Sequence, residues 1–303
     1  MQVRYLTYGN IDKQKWDACI TAASNGLIYG YSLYLDTMAS AWDALVLGDY
    51  EAVLPLTWRK KYGIYYLYQP FATAALGVFG NNLNAETLQA FLLAVPAKFR
   101  YWDIYLNHGN CFPVAGFPLV KRTNYVLNLN APYEQLNAGF RENIRRNIRK
   151  AKQLNCVFRK DIDVDEVLML SRQQAAGYTK IPGADYDQFK KLYGFLREKD
   201  QATTYGVFLP NGQLVASCVL FFSHNRMFYV LVGNHPNGKT IGASHALINE
   251  FISDYADRDI LLDFEGSEVQ NLAFFYSSFG AVIEKYVGLK LNRIPKILRW
   301  IKK

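Results

Sequence analysis

Three apolar runs in the second half of the chain, Tyr205 to Leu209, Leu214 to Phe222 and Met227 to Val232, follow one another across gaps of four residues. A gap that short holds a turn and no helix, so consecutive runs must pair antiparallel. Asn211-Gly212 in the first gap is a dipeptide suited to a tight hairpin turn. This segment therefore cannot belong to a doubly wound parallel sheet, where a crossover follows every strand. The pattern then changes: Ala243 to Tyr255 has helical periodicity, and Ile260 to Phe264 is a short apolar strand.

At 303 residues the chain is long for one domain and comfortable for two. The first part carries strand signals at Val3 to Tyr8, Ala44 to Leu47, Ala52 to Leu56, Ile64 to Leu67, Trp102 to Leu106 and Asn124 to Leu129. Asp12 is placed to cap a helix through Ala23, and Asn84 one to Lys98. The run Asn128-Leu129-Asn130-Ala131-Pro132 marks a boundary, giving domains of 1–130 and 131–303. Beyond it, helices are expected over Tyr133 to Asn155, Val164 to Ala176, Tyr186 to Lys199 and Leu272 to Phe279, with a last strand from Val282 to Leu291. The two parts share a coarse order of elements. The expected class is α/β of the α+β kind, two domains of similar design with mixed, largely antiparallel sheets.

Half the residues are hydrophobic and 15% are aromatic, enough for large cores. No apolar run approaches the roughly 20 residues of a membrane-spanning helix. The start, Met1-Gln2-Val3-Arg4-Tyr5, lacks a signal-peptide pattern, so a cytoplasmic protein is expected. The four cysteines and four histidines show no metal or redox spacing, and no metal is expected. Neither a GxSxG nor a GxGxxG motif occurs. A net charge of +8 favours anionic partners: nucleotides, RNA, phosphorylated carriers or membrane surfaces.

The most basic segment, Arg141 to Lys152, holds six basic residues and one acid. On a helix, Phe140, Ile144, Ile148 and Ala151 form an apolar stripe with Arg141, Arg145 and Arg149 stacked beside it and Arg146 and Lys150 on the other flank. Like charges at this spacing weaken a helix by about 0.2–0.5 kcal/mol per pair, which suggests an anionic ligand as readily as a solvated face. Gly233-Asn234-His235-Pro236-Asn237-Gly238-Lys239-Thr240 fits the phosphate-binding pattern GxxxxGK[ST]. Its context opposes an NTPase: the preceding strands are hairpin-linked, Pro236 removes an amide, and too few residues follow for a parallel nucleotidase sheet. Residues 290–303 carry Ile294, Ile297, Leu298 and Ile301 on one helical face among basic residues and Trp300, a pattern suited to the body of the protein or to peripheral contact with an anionic inner membrane face.

Leu261-Leu262-Asp263-Phe264-Glu265-Gly266-Ser267 reads as a buried strand ending in acidic and small residues. Phe274-Phe275-Tyr276-Ser277-Ser278-Phe279-Gly280-Ala281 reads as an aromatic helix closed by glycine. Asp263 and Glu265 both stand at this strand end, and one of them is the candidate to enter the cleft. Glu265, beside Gly266 and Ser267, is the better candidate base. Asp263 fits a capping or ion-pair role equally well, and Tyr276 fits an aromatic core.

These two stretches resemble the signature of Fem-type aminoacyltransferases and related proteins with two tandem GNAT-like domains. Arg145 to Lys152 resembles the basic helix opening the family's second domain, and Lys121 to Leu129 the strand before it. The resemblance implies N-acyl transfer from a phosphate-bearing carrier to an amine, in a cleft between splayed strands. It offers acyl-CoA or aminoacyl-tRNA as donor substrate, no tightly bound cofactor, and an amine of a cell-envelope or polysaccharide precursor as acceptor. No long paired-helix insertion, the tRNA arm of Fem-type members, is visible. Lys239 to Ser244 stands where GNAT proteins hold the donor's pyrophosphate, and Tyr276 where many of them place a general acid. The residues so implicated are Glu265, Tyr276 and Asp263 for catalysis, with Arg145, Arg149, Lys150, Lys239, Gly242, Ser244 and Ser267 for binding. Two rival expectations remain from the residues alone: an NTPase at 233–240, and a non-catalytic module for an anionic lipid, RNA or precursor.

Overall fold

The structure is a computed structural model that describes residues 2–179, 181–266 and 270–295. The chain divides into two compact units, one of residues 1–123 with 285–303 and one of residues 124–284.

The first unit contains β1 (Val3–Leu6), α1 (Lys13–Ala22), α2 (Ser32–Met38), β2 (Trp42–Leu47), β3 (Ala52–Lys61), β4 (Ile64–Tyr68), β5 (Phe79–Gly80), α3 (Ala85–Ala94) and β6 (Phe99–Leu106). Asp12 caps α1 by accepting the amides of Gln14 and Lys15, and Trp16 and Ile20 turn inward from that helix. Asn84 caps α3. This helix stops at Ala94, short of the expected Lys98, because Pro96 disfavours helical geometry at Val95. Strands β1 to β4 pair antiparallel in order, and β6 lies parallel to β4. The next strand in the unit comes from far along the chain. It is the part of β13 (Val282–Asn292) from Val287 to Asn292, antiparallel to β6.

The second unit repeats this topology. After β7 (Leu119–Asn128) come α4 (Tyr133–Ala138), α5 (Glu142–Gln153), β8 (Val157–Lys160), α6 (Val164–Ala175), α7 (Gly183–Arg197), β9 (Ala202–Phe208), β10 (Leu214–Ser223), β11 (Arg226–Asn234), α8 (Pro236–Ile241), α9 (Ala243–Tyr255), β12 (Leu261–Asp263) and α10 (Gln270–Ser277). Strands β8 to β11 pair antiparallel in order, β12 lies parallel to β11, and residues 126–128 of β7 pair antiparallel with β12. The helix expected over Tyr133 to Asn155 is broken into α4 and α5. Gly139 ends the first, and Arg141 is extended at the start of the second. Ile144, Ile148 and Ala151 of α5 and Leu247 and Phe251 of α9 share one core with Cys218, Met227 and Tyr229 of the sheet. On α7, Phe189 stacks on Phe221 of β10 at 5.4 Å. Each such side chain contributes on the order of 1.5–3 kcal/mol.

Register opens the site. The pairing of β12 with β11 covers Arg226 to Phe228, whereas β11 continues to Asn234. A bulge in β11 opposite Val219/Leu220 adds local twist. The two parallel strands therefore part after Phe228, where β12 gives way to the segment carrying Glu265.

Candidate active site

Strand β12 ends because Asp263 turns its carboxylate back on the chain. Asp263 Oδ1 accepts the Glu265 amide at 2.8 Å, and Glu265 takes a left-handed backbone with φ 62°. Such a conformation is uncommon for a side-chain-bearing residue. Strand β12 thus stops before Glu265 is reached. Asp263 is itself anchored: Oδ2 lies 2.6 Å from Arg226 Nη1, and Oδ1 accepts Asn124 Nδ2 at 2.8 Å. Arg226 also reaches both oxygens of Glu284, at 2.9 and 2.8 Å. Asn124, Arg226 and Asp263 are buried. The geometry gives Asp263 a structural place, holding the turn beneath Glu265, and not that of a free acid or base.

Glu265 is half-buried as a residue, but its Oε1 is sealed from solvent and has no hydrogen-bond partner among the described residues. Burial pushes its carboxyl up to about 8. Tyr276, buried on α10, has its phenol raised by burial and then by the neighbouring Glu265 carboxylate. Its ring stacks on Phe264 at 4.6 Å and meets Tyr229 edge-on at 6.5 Å. Phe275 touches Tyr276 at 5.6 Å and His245 at 4.9 Å. One aromatic wall thus runs from the end of β12 across α10 to the first turn of α9. A carboxyl that titrates near neutrality beside a protonated phenol is the pairing that proton transfer at pH 7 requires.

The basic helix meets that first turn. Gly242 has φ 77°, and a Cβ there would stand 2.8 Å from Asn147 Cβ and carbonyl oxygen, so only glycine allows α5 to approach this closely. Lys150 Nζ donates to the Thr240 carbonyl at 2.8 Å. Ser244 Oγ and Asn234 Oδ1 are 2.5 Å apart. No side chain caps α9, whose first turn carries the positive end of the helix dipole. Lys150 and the exposed Lys239 therefore border a point that favours negative charge. Arg145 and Arg149 precede Lys150 on α5, both paired with Glu142, at 3.2 and 2.6 Å. Ser267 lies outside the described residues, as do 296–303 of the C-terminal amphipathic segment.

The GxxxxGKT match does not form a phosphate cradle. Gly233 and Asn234 finish β11, His235 caps α8, and Gly238 is packed so that a Cβ would sit 2.4 Å from the Val215 carbonyl oxygen. At Gly238 the segment lies against the backbone of β10. Three participants escape sequence reasoning: Arg226, Glu284 and His245. A single arginine opening the apolar run Met227 to Val232 is a signal of a buried ion pair. His245 carries no recognisable spacing. Among the described residues no group of three His, Cys, Asp or Glu could hold a metal ion, and no helix is long and apolar enough to cross a membrane.

Residues 138–268, which run from the end of α4 past Glu265, match the acetyltransferase (GNAT) domain. Over this stretch the chain is similar to GNAT acetyltransferases, and the match supports an acyltransferase. Its fold is that of FemX over the full length of both chains, at 12% identity and a TM-score of 0.66. The C-terminal domain of a lysylphosphatidylglycerol synthetase from Agrobacterium fabrum is similar over 92% of this chain and 91% of its own, at 11% identity and a TM-score of 0.57. L-PGS from Bacillus licheniformis is similar over 96% of this chain and 95% of its own, at 12% identity and 0.53. No curated protein matches the sequence. The GNAT domain match places the activity among acyl transfers and does not favour the NTPase or the non-catalytic module.

Proposed function

We propose that the GNAT domain moves an acyl group from a phosphate-bearing carrier to a primary amine, with Glu265 as general base and Tyr276 as general acid. The observation that carries this reading is the sealed Glu265 Oε1, without a partner among the described residues, electrostatically coupled to the Tyr276 phenol. The amine nitrogen attacks the acyl carbonyl carbon, and Glu265 takes the proton that nitrogen must lose. The carbon–nitrogen bond forms, the bond from that carbon to the carrier's sulfur or oxygen breaks, and Tyr276 protonates the departing atom. A base of pKa near 8 is well matched to this task at neutral pH. Asp263 positions the base through the Glu265 amide.

Phosphate on the carrier is drawn to the first turn of α9 at Gly242 and Ser244, with Lys150 and Lys239 beside it. Arg145 and Arg149 extend the basic surface, since an exposed pair with Glu142 is worth only about 0–1 kcal/mol and gives way to a phosphate. Acyl-CoA and aminoacyl-tRNA are the two donor classes that suit such a surface. The likeness to a protein named for lysylphosphatidylglycerol synthesis supports an acceptor from the cell envelope. The test incubates the protein with labelled acetyl-CoA, or with aminoacyl-tRNA, and a panel of amine-bearing envelope precursors, and follows the label by mass spectrometry. Transfer to an amine nitrogen, lost in Glu265→Gln, is expected. Donor binding with no cleavage or transfer under any pairing would sink the proposal.

A further inference from the structure

The first turn of α9 holds a second buried polar atom without a partner. His245 is half-buried, yet its Nδ1 is sealed from solvent and meets no donor or acceptor among the described residues. Its other nitrogen, Nε2, faces Asn147 Nδ2 at 3.4 Å. The orientation of that amide is fixed, because the same Nδ2 donates to the Asn143 carbonyl at 2.9 Å. A flipped amide would set oxygen against oxygen. Asn147 therefore presents a hydrogen to Nε2, which must be the unprotonated nitrogen. In the neutral ring the proton then lies on Nδ1. Burial lowers the imidazole to about 4, so the ring stays neutral across the physiological range. The result is an uncharged N–H donor, held against Phe275 and sealed from water, with no acceptor among the described residues.

A buried donor left unpaired costs roughly 1–3 kcal/mol. Glu265 Oε1 is the matching vacancy on the same aromatic wall, reached from His245 through Phe275 and Tyr276. Acyl transfer makes two demands on a site besides protonation of the leaving atom. One is an acceptor for the amine proton, and the other is a donor for the carbonyl oxygen as it gains negative charge. The two vacancies match the two demands in kind. We infer that His245 is a catalytic residue whose Nδ1–H donates to the carbonyl oxygen of the acyl group during transfer. A neutral donor suits this role, since it favours the oxygen most when charge develops there and does not titrate at working pH. The inference rests on the acyl-transfer reading above, and Asn147 acts as the positioning residue that selects the tautomer.

Three variants separate this role from a packing role. His245→Asn places an amide N–H close to where Nδ1–H stood. His245→Gln places one near Nε2 instead, and His245→Leu offers no donor. Steady-state kinetics should show kcat reduced about 100-fold in Leu and Gln, the scale of losing one oxyanion donor. KM should stay within about threefold, and Asn should recover at least about a tenth of the wild-type kcat. Melting curves identify any variant that does not fold. An independent reading comes from nitrogen-15 NMR of histidine-labelled wild-type protein at neutral pH, which should show the Nδ1–H tautomer at His245. The Nε2–H tautomer overturns the assignment without any variant. So does a Leu variant with wild-type kcat, or an Asn variant as impaired as a folded Leu variant. Full activity in the His245 variants while Glu265→Gln is inactive removes His245 and leaves acyl transfer standing. Absence of transfer by wild type overturns both.

Discussion

Replacing Glu265 by glutamine removes a charge while preserving shape, and its effect on stability can be worked from the site. Burial raises the carboxyl from 4.5 to about 8. Below the lower value both folded and unfolded chains hold the proton, and the residue contributes no pH dependence. Between the two values the folded chain keeps a proton that the unfolded chain releases, so stability falls as pH rises. Above about 8 the loss is complete and the curve is flat again. About 3.5 units at 1.36 kcal/mol each gives up to about 5 kcal/mol. That is an upper bound, because a half-buried side chain can turn its ionised oxygens toward water, and a loss of about 2–5 kcal/mol is expected. Glutamine carries no such proton. Urea denaturation of both proteins at about pH 5 and pH 9, with unchanged m-values, should show the variant gaining on wild type by that amount at the higher pH. Parallel behaviour, with the difference between the two proteins constant to about 0.5 kcal/mol, would refute the claim that Glu265 is a buried acid.

Other consequences follow from the same geometry. Arg226→Leu leaves Asp263 and Glu284 without their shared cation, and should cost about 3–5 kcal/mol in chemical denaturation, with loss of the ordered Glu265 turn. Gly242→Ala forces a side chain into a left-handed position already filled by Asn147, and a destabilisation of about 1–3 kcal/mol with weakened donor binding is expected by calorimetry. Tyr276→Phe keeps the ring stacked on Phe264, so stability should change by less than about 1 kcal/mol while kcat falls by about 100-fold or more. A Tyr276→Phe enzyme of normal kcat would leave the leaving group to be protonated from elsewhere.

What the sequence makes legible is what short-range rules control. The four-residue gaps dictate the antiparallel order of β9, β10 and β11, and the helical period of Ala243 to Tyr255 marks α9 to the residue. Glu265 and Tyr276 stand out because strand end and aromatic helix are adjacent in the chain. The elements that escape are held by distant partners. Arg226 finds Asp263 across 37 positions and Glu284 across 58, and no periodicity connects them. The return of Val287 to Asn292 to pair with β6 is likewise a long-range choice of strand partner. The GxxxxGKT letters show the converse: a local pattern compatible with a phosphate loop is drawn into a strand end and a helical turn because Gly238 packs on β10. His245 becomes informative only once Asn147, nearly a hundred residues away, fixes its tautomer.

The pH dependence of kcat/KM for amine acylation, measured side by side for wild type and Glu265→Gln, tests the central claim most directly. Wild-type activity should rise with pH and level off through an apparent pKa near 8, the value burial gives Glu265. The variant should be slower by at least about 100-fold and lack that limb. A variant that transfers at the wild-type rate, or that retains the same rise near pH 8, would contradict the account.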